Sequence, residues 1–241
     1  MAESEAHRLR EHLQAAAVLN PRLVRVLDAG GGTGNASSVL IELGFDPLVV
    51  DVSAHMLAHW QQKIKSLGRT PRVVVDDIAN FLTQNDSEWD LIVFSSVLHH
   101  LEDPKQVLKL AARCIAPGGV LVTIFDPISA GRIGEKLRRI DWVLYAVRHD
   151  GASLGDAVRK RLERARRGAG RDIPNLGRLA ERYATRGLDD CVLVETLRSE
   201  GLEIVRHSRL FSARMRITAA VFRMLKRPAE FSLIARRPYL R

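Results

Sequence analysis

The chain has 241 residues, 46% of them hydrophobic and 27% charged. That is enough apolar material to bury a core, and it excludes an intrinsically disordered chain. The net charge of +9 is uneven, with −4 over residues 1–126 and +13 over 127–241. Such a split reads either as solvated helix faces or as an anionic partner for the second half: an acidic substrate, a membrane surface or nucleic acid. Two distant cysteines, Cys114 and Cys191, make neither a disulfide framework nor a zinc pattern and suit a reducing compartment.

Residues 3–19 have the spacing of an amphipathic helix ending at Asn20-Pro21. Glu3, Glu5 and Glu11 argue against a signal peptide there. With no run of about 18 apolar residues, a cytoplasmic protein is expected, with peripheral membrane contact as an option. Leu23 to Leu27 is a short apolar run closed by Asp28 and a glycine cluster, as in a buried parallel strand. Helix over 35–43, strand over 47–52 and helix through Met56, Leu57, Trp60, Ile64 and Leu67 follow. Strands over 72–75 and 89–95, helix over 104–115 and strand over 119–125 continue the alternation, with Pro117-Gly118-Gly119 read as the stop between the last two. This is the pattern of βαβ units in a doubly wound parallel sheet.

The alternation stops after Asp126-Pro127. Residues 129–187 read as an Arg-rich helical cap inserted after strand 5, in which Trp142, Tyr145, His149 and Tyr183 are candidates to line an acceptor pocket. Regular pattern returns with helix over 190–200, strand over 203–209, a basic helix over 213–226 and strand over 230–235. The expected division is therefore a cofactor-binding half at 1–128, the cap at 129–187, and a C-terminal part at 188–241 that completes the sheet. The basic helix sets Met215, Ile217, Val221, Phe222, Met224 and Leu225 among Arg214, Arg216, Arg223, Lys226 and Arg227. It suits an anionic membrane or an apolar face packed on its own domain.

The densest chemistry lies in Asp28-Ala29-Gly30-Gly31-Gly32-Thr33-Gly34. Glycine permits a tight turn and close approach of a ligand, and the helix that follows offers free N–H groups to an anionic group. Asp28 precedes the loop, Asp51 closes the second strand and Asp76-Asp77 closes the third. An acid at the place of Asp51 accepts from ribose hydroxyls. Carboxylates at three successive strand ends suit a ligand with an ammonium, a ribose and an adenine, and repel a pyrophosphate. Helix capping by Asp28 or Asp51, and a core position for Met56, are the plainer readings of the same residues.

Taken together, VLDAGGGTG (26–34), VVDVS (49–53), DDIANF (76–81), WDLIVFSSVLHHLEDP (89–104) and APGGVLVTIFDP (116–127) resemble the class I S-adenosylmethionine-dependent methyltransferases. They are similar to the bacterial small-molecule enzymes that include those of ubiquinone and menaquinone biosynthesis. The resemblance implies a Rossmann-like sheet of seven strands, mostly parallel with the last antiparallel, and S-adenosylmethionine as cofactor. Gly30, Gly31, Gly32 and Gly34 would cradle its methionine part and Asp28 its ammonium. Asp51, with Val52 beside it, would take the ribose. Asp77 would take the adenine amine, with Ile78 packed beside the ring and Met56 lining the pocket. Ser95 and Ser96 would lie near the sulfonium. Relatives often carry glycine at the place of Asp76, and Asp77 is the favoured adenine ligand.

Transfer of an activated methyl group needs alignment above all, and a general base when the acceptor is a hydroxyl or ammonium. His99 and His100 follow the fourth strand, and one of them is expected to act as that base. No metal-ligand spacing accompanies them. The expected function is methyl transfer, with oxygen as the favoured atom, on a small molecule that is anionic or lipid-like. Alternatives are an RNA-modifying or RNA-binding protein, a nicotinamide-dependent oxidoreductase, and a non-catalytic cofactor-binding subunit. The RNA case rests on charge alone, since no aromatic-glycine RNA signature occurs. Against the oxidoreductase, the third glycine of G-x-G-x-x-G falls on Asn35.

Overall fold

A computed structural model describes residues 3–20, 24–85, 87–129, 131, 134–138, 140–141, 187–211 and 216–239. The elements in chain order are α1 Glu3–Leu19, β1 Val26–Ala29, α2 Asn35–Glu42, β2 Leu48–Asp51, α3 Ala54–Ser66, β3 Arg72–Val75, α4 Ile78–Gln84 and β4 Trp89–Ser95. A 3₁₀ turn, Leu98–His100, then leads to α5 Pro104–Arg113 and β5 Ile115–Pro127, and α6 Asp190–Ser199, β6 Glu203–Leu210, α7 Arg216–Met224 and β7 Glu230–Arg236 are the further elements named among the described residues.

The seven strands form one sheet in the order β3-β2-β1-β4-β5-β7-β6. β1 to β5 pair in parallel, and β7 runs antiparallel to both β5 and β6. This is the doubly wound sheet expected from the sequence, with the last strand reversed. The central strands are continuous apolar runs because both faces are covered. On one face Leu27, Ile92, Phe94 and Leu121 pack against Phe81 of α4, Leu108 of α5 and Leu197 of α6. On the other, Leu91, Val93, Val122 and Ile234 pack against Leu9 and Leu13 of α1 and Val39 and Leu40 of α2. Trp60 and Ile64 of α3 close a smaller cluster on Val49.

Two local expectations are corrected. Pro117-Gly118-Gly119 lies inside β5, which begins at Ile115 and pairs there with Trp89 across a register shift. The segment is an irregularity within a strand, where Pro and Gly are tolerated: Gly118 donates to the Arg237 carbonyl, and the Tyr239 ring fills the space a Cβ would need. Secondly, α4 was not expected. Asp77 starts it by accepting from the amides of Ala79 and Asn80, and its 7 residues are too few for an apolar period to show.

The end of β5 roots the long excursion that follows. Ile128 and Leu188 form a parallel bridge, Ser129 N donates to the Leu188 carbonyl and Leu188 N to the Pro127 carbonyl. The chain thus leaves the sheet and rejoins it at one point, at the carboxyl ends of the parallel strands. Residues 134–138 are helical, and Arg138 is buried with its guanidinium on the carbonyls of Ile128 and Ala229. Burial lowers its pKa to about 10. Asp141 caps α7 from outside, accepting from the amides of Ile217 and Thr218. Trp142, Tyr145, His149 and Tyr183 lie outside the described residues.

Candidate active site

The glycine loop joins β1 to α2 under tight steric control. Gly34 has φ +75° and serves as the N-cap of α2, and a Cβ on it would lie 2.0 Å from the Trp60 ring. Val97 crowds Gly30, and Val49 with the Asp28 carboxylate crowds Gly31. Three of the four glycines are therefore demanded by neighbouring side chains. Gly32 alone faces Met56 Cε and Asp51 Oδ2, at 3.3 and 3.8 Å from where its Cβ would stand. Met56 is 41% exposed, so it lies over the loop and outside the core.

The acids divide by environment. Asp51, at the end of β2, accepts from Gly32 N through Oδ2 (2.9 Å) and from Ser53 N through Oδ1 (2.8 Å). It locks the loop to the strand end and keeps further lone pairs on both oxygens. The cap of α3 is Ser53, not Asp51. Asp28 is fully buried; its Oδ2 accepts from the amide and hydroxyl of Ser37 (3.0 and 2.6 Å), while Oδ1 has no partner among the described residues. Burial raises its pKa to about 6, against the Ser37 hydrogen bonds that pull it down. Asp77 is exposed and caps α4. Asp76 accepts from Asp77 N and Asn80 Nδ2 at 2.8 and 2.9 Å. Val52 is half exposed beside Asp51, whereas Ile78 is turned into the core with Phe81 and Leu82 because α4 begins at that residue.

The histidines sit across the loop from Asp51. Val97, which packs on Gly30, leads into the turn that carries them. His99 is buried, and its Nδ1 lies 2.8 Å from Asp126 Oδ1, an oxygen that also accepts from His99 N at 3.2 Å. Asp126 is wholly buried, and its Oδ2 has no partner among the described residues. His100 is exposed, with its ring centroid 3.9 Å from that of His99. Desolvation by the protein around the ring, and then His99, lower its pKa to about 4. Ser95 and Ser96, at the end of β4, are half-buried beside this turn.

Asp126 escaped the sequence reading, because its aim depends on a backbone irregularity. The β5–β7 register shifts between Ile124 and Asp126, and the residue between, Phe125, has φ +67°. Ser96 has φ +61°, and its amide donates to the Ile124 carbonyl. Left-handed backbone at a bulky residue is costly and persists where the surroundings impose it, commonly at functional sites. Here the bulge points Asp126 at His99. The shallow cavity of about 430 Å³ among Glu88, Arg113 and Tyr239 is remote from all of this, at the amino ends of β4 and β5.

Residues 27–121 match a family model described as a methyltransferase domain. The chain is 33% identical over 114 residues to the tRNA 5-carboxymethoxyuridine methyltransferase of Escherichia coli, covering 45% of this chain and 42% of that one. It is also 33% identical over 116 residues to the ubiquinone/menaquinone biosynthesis C-methyltransferase of Haemophilus ducreyi, covering 44% of each. The matches span less than half the length of these relatives. An S-adenosylmethionine-dependent methyltransferase from Clostridium acetobutylicum shares the fold at TM-score 0.60 and 16% identity, over 97% of this chain and 92% of that one. The segment that matches the methyltransferase-domain model carries the glycine loop and runs from β1 into β5, and the whole chain shares the fold of the S-adenosylmethionine-dependent enzyme.

Proposed function

We propose that the chain is an S-adenosylmethionine-dependent methyltransferase acting on a small-molecule acceptor at oxygen, with His99, held by Asp126, as the proton acceptor. The observation that carries the cofactor reading is Asp51, whose carboxylate bridges Gly32 N and Ser53 N beneath Met56. The residues fit that cofactor: a Cβ on Gly32 would press on the exposed Met56 methyl at 3.3 Å, the Asp28 Oδ1 has no partner among the described residues, and two carboxylates flank the loop where a pyrophosphate would be repelled. Bound there, S-adenosylmethionine supplies a methyl group already activated on a positively charged sulfur.

The remaining work falls to the chain. The Gly30–Gly34 loop and Asp28 hold the methionine part, Asp51 holds the ribose, and Asp77 holds the adenine amine. The Asp126 carboxylate accepts from Nδ1–H of His99, which fixes the tautomer and leaves Nε2 as the basic atom. A positioned base of this kind contributes roughly 10²–10⁴ in rate. An RNA acceptor is the second reading, favoured by the +13 charge of residues 127–241 and by the tRNA-directed relative. Incubation with methyl-labelled S-adenosylmethionine, a metabolite extract and, separately, total RNA decides between them. The proposal expects label in a small molecule, at oxygen; label in RNA alone contradicts it.

A further inference from the structure

The end of α7 and the turn after it form a surface that the methyl-transfer chemistry does not use. β7 starts beside the end of β5, with Glu230 paired to Pro127, and Ala229 N donates to the Leu210 carbonyl at the end of β6. The turn 225–229 therefore sits on the same sheet edge as Asp51, His99 and Asp126. Helix α7 is held from beneath: Thr218 and Phe222 are buried, and Asp141 caps its start. Its outer side stays apolar. Ile217 is 37% exposed, Met224 84% and Leu225 56%. Around them Arg223, Lys226 and Arg227 are exposed. Lys226 has φ +51°, and Arg227 N returns to the Phe222 carbonyl, so the turn is a closed knuckle with fixed geometry.

We infer that this knuckle docks on an anionic lipid surface. Arg223, Lys226 and Arg227 are all exposed, and residues 216–229 contain no Asp or Glu, so the patch complements negatively charged headgroups. Exposed Met224 and Leu225 at its apex match the acyl boundary beneath those headgroups. An RNA partner would use the cations but gain little from Met and Leu, since single strands are held by stacking on aromatic rings and by phosphate contacts. The inference is independent of methyl transfer, because docking is read without turnover.

Co-sedimentation of the full chain with phosphatidylglycerol-containing vesicles, against pure phosphatidylcholine vesicles, tests it. Binding is expected to the anionic vesicles only, and to weaken as salt rises. Met224→Ser with Leu225→Ser should weaken it at least about tenfold. Arg223→Gln, Lys226→Gln and Arg227→Gln together should weaken it about 100-fold, from roughly fivefold per cation. Circular dichroism and S-adenosylmethionine calorimetry of both variants establish that the fold is kept. Absence of binding to anionic vesicles, binding that Met224→Ser with Leu225→Ser leaves unchanged, or loss of a dimer as the only effect of those changes overturns the inference.

Discussion

His99 and Asp126 meet at 2.8 Å, Nδ1 to Oδ1, where the carboxyl ends of β4 and β5 lie side by side. Both are buried, and the neighbouring His100 is exposed with its pKa lowered to about 4. His100 is thus neutral across the physiological range but lacks a carboxylate to orient it among the described residues. Substitution His99→Ala is expected to lower kcat by about 10²–10⁴, and His100→Ala by less than about tenfold. Asp126→Asn can offer an amide N–H to Nδ1 and favour the wrong tautomer, so kcat should fall and the pH–rate profile should shift while the KM for cofactor stays put. Kinetics showing His100→Ala as the damaging change would remove the dyad from the mechanism.

Asp28 couples stability to pH. Its folded pKa of about 6 exceeds the ordinary 3.8. The folded state therefore binds the proton more tightly, and this contribution is full below pH 3.8 and lost as pH rises through about 6. About two units correspond to roughly 3 kcal/mol at most. Asp28→Asn, neutral throughout and able to keep an oxygen on Ser37, should be more stable than wild type near about pH 8 and similar near about pH 4, with weaker cofactor binding. Urea unfolding at the two pH values measures this; equal stability differences at both would refute it.

Gly34 and Gly44 separate packing from backbone strain. Both have positive φ, +75° and +90°, but a Cβ at Gly44 meets nothing within 4 Å while one at Gly34 meets Trp60. Gly44→Ala should cost about 1–2 kcal/mol, the left-handed penalty alone. Gly34→Ala should add about 1–3 kcal/mol of overpacking. Chemical denaturation of the pair reads the difference, and similar losses would show that Trp60 yields freely.

The sheet was legible because its signals are local. Runs such as VLDA and WDLIVFS bury both faces, and the apolar spacing through α3 holds at Leu57, Trp60 and Ile64, whereas Met56 and Leu67 are exposed. Asp28, Asp51 and His99 were legible as groups at strand ends, since the edge where they gather follows from strand direction alone. Other features depend on neighbours distant in sequence. Asp126 needs β5 beside β4 and a bulge at Phe125 before it faces His99. The crowding of Gly30, Gly31 and Gly34 by Val97, Val49 and Trp60 likewise comes from residues distant in sequence. The basic helix packs Phe222 inward, as one of its two sequence readings has it, and leaves Met224 and Leu225 exposed.

The most direct test of the cofactor site is calorimetric titration of S-adenosylmethionine into wild-type protein and Asp51→Ala. Losing hydrogen bonds to a charged carboxylate costs about 1.5–3 kcal/mol, so the variant should bind roughly 10- to 100-fold more weakly while circular dichroism shows the sheet intact. Wild-type protein that takes up no ligand at about millimolar concentration, or an Asp51→Ala variant that binds as tightly as wild type, would contradict the assignment.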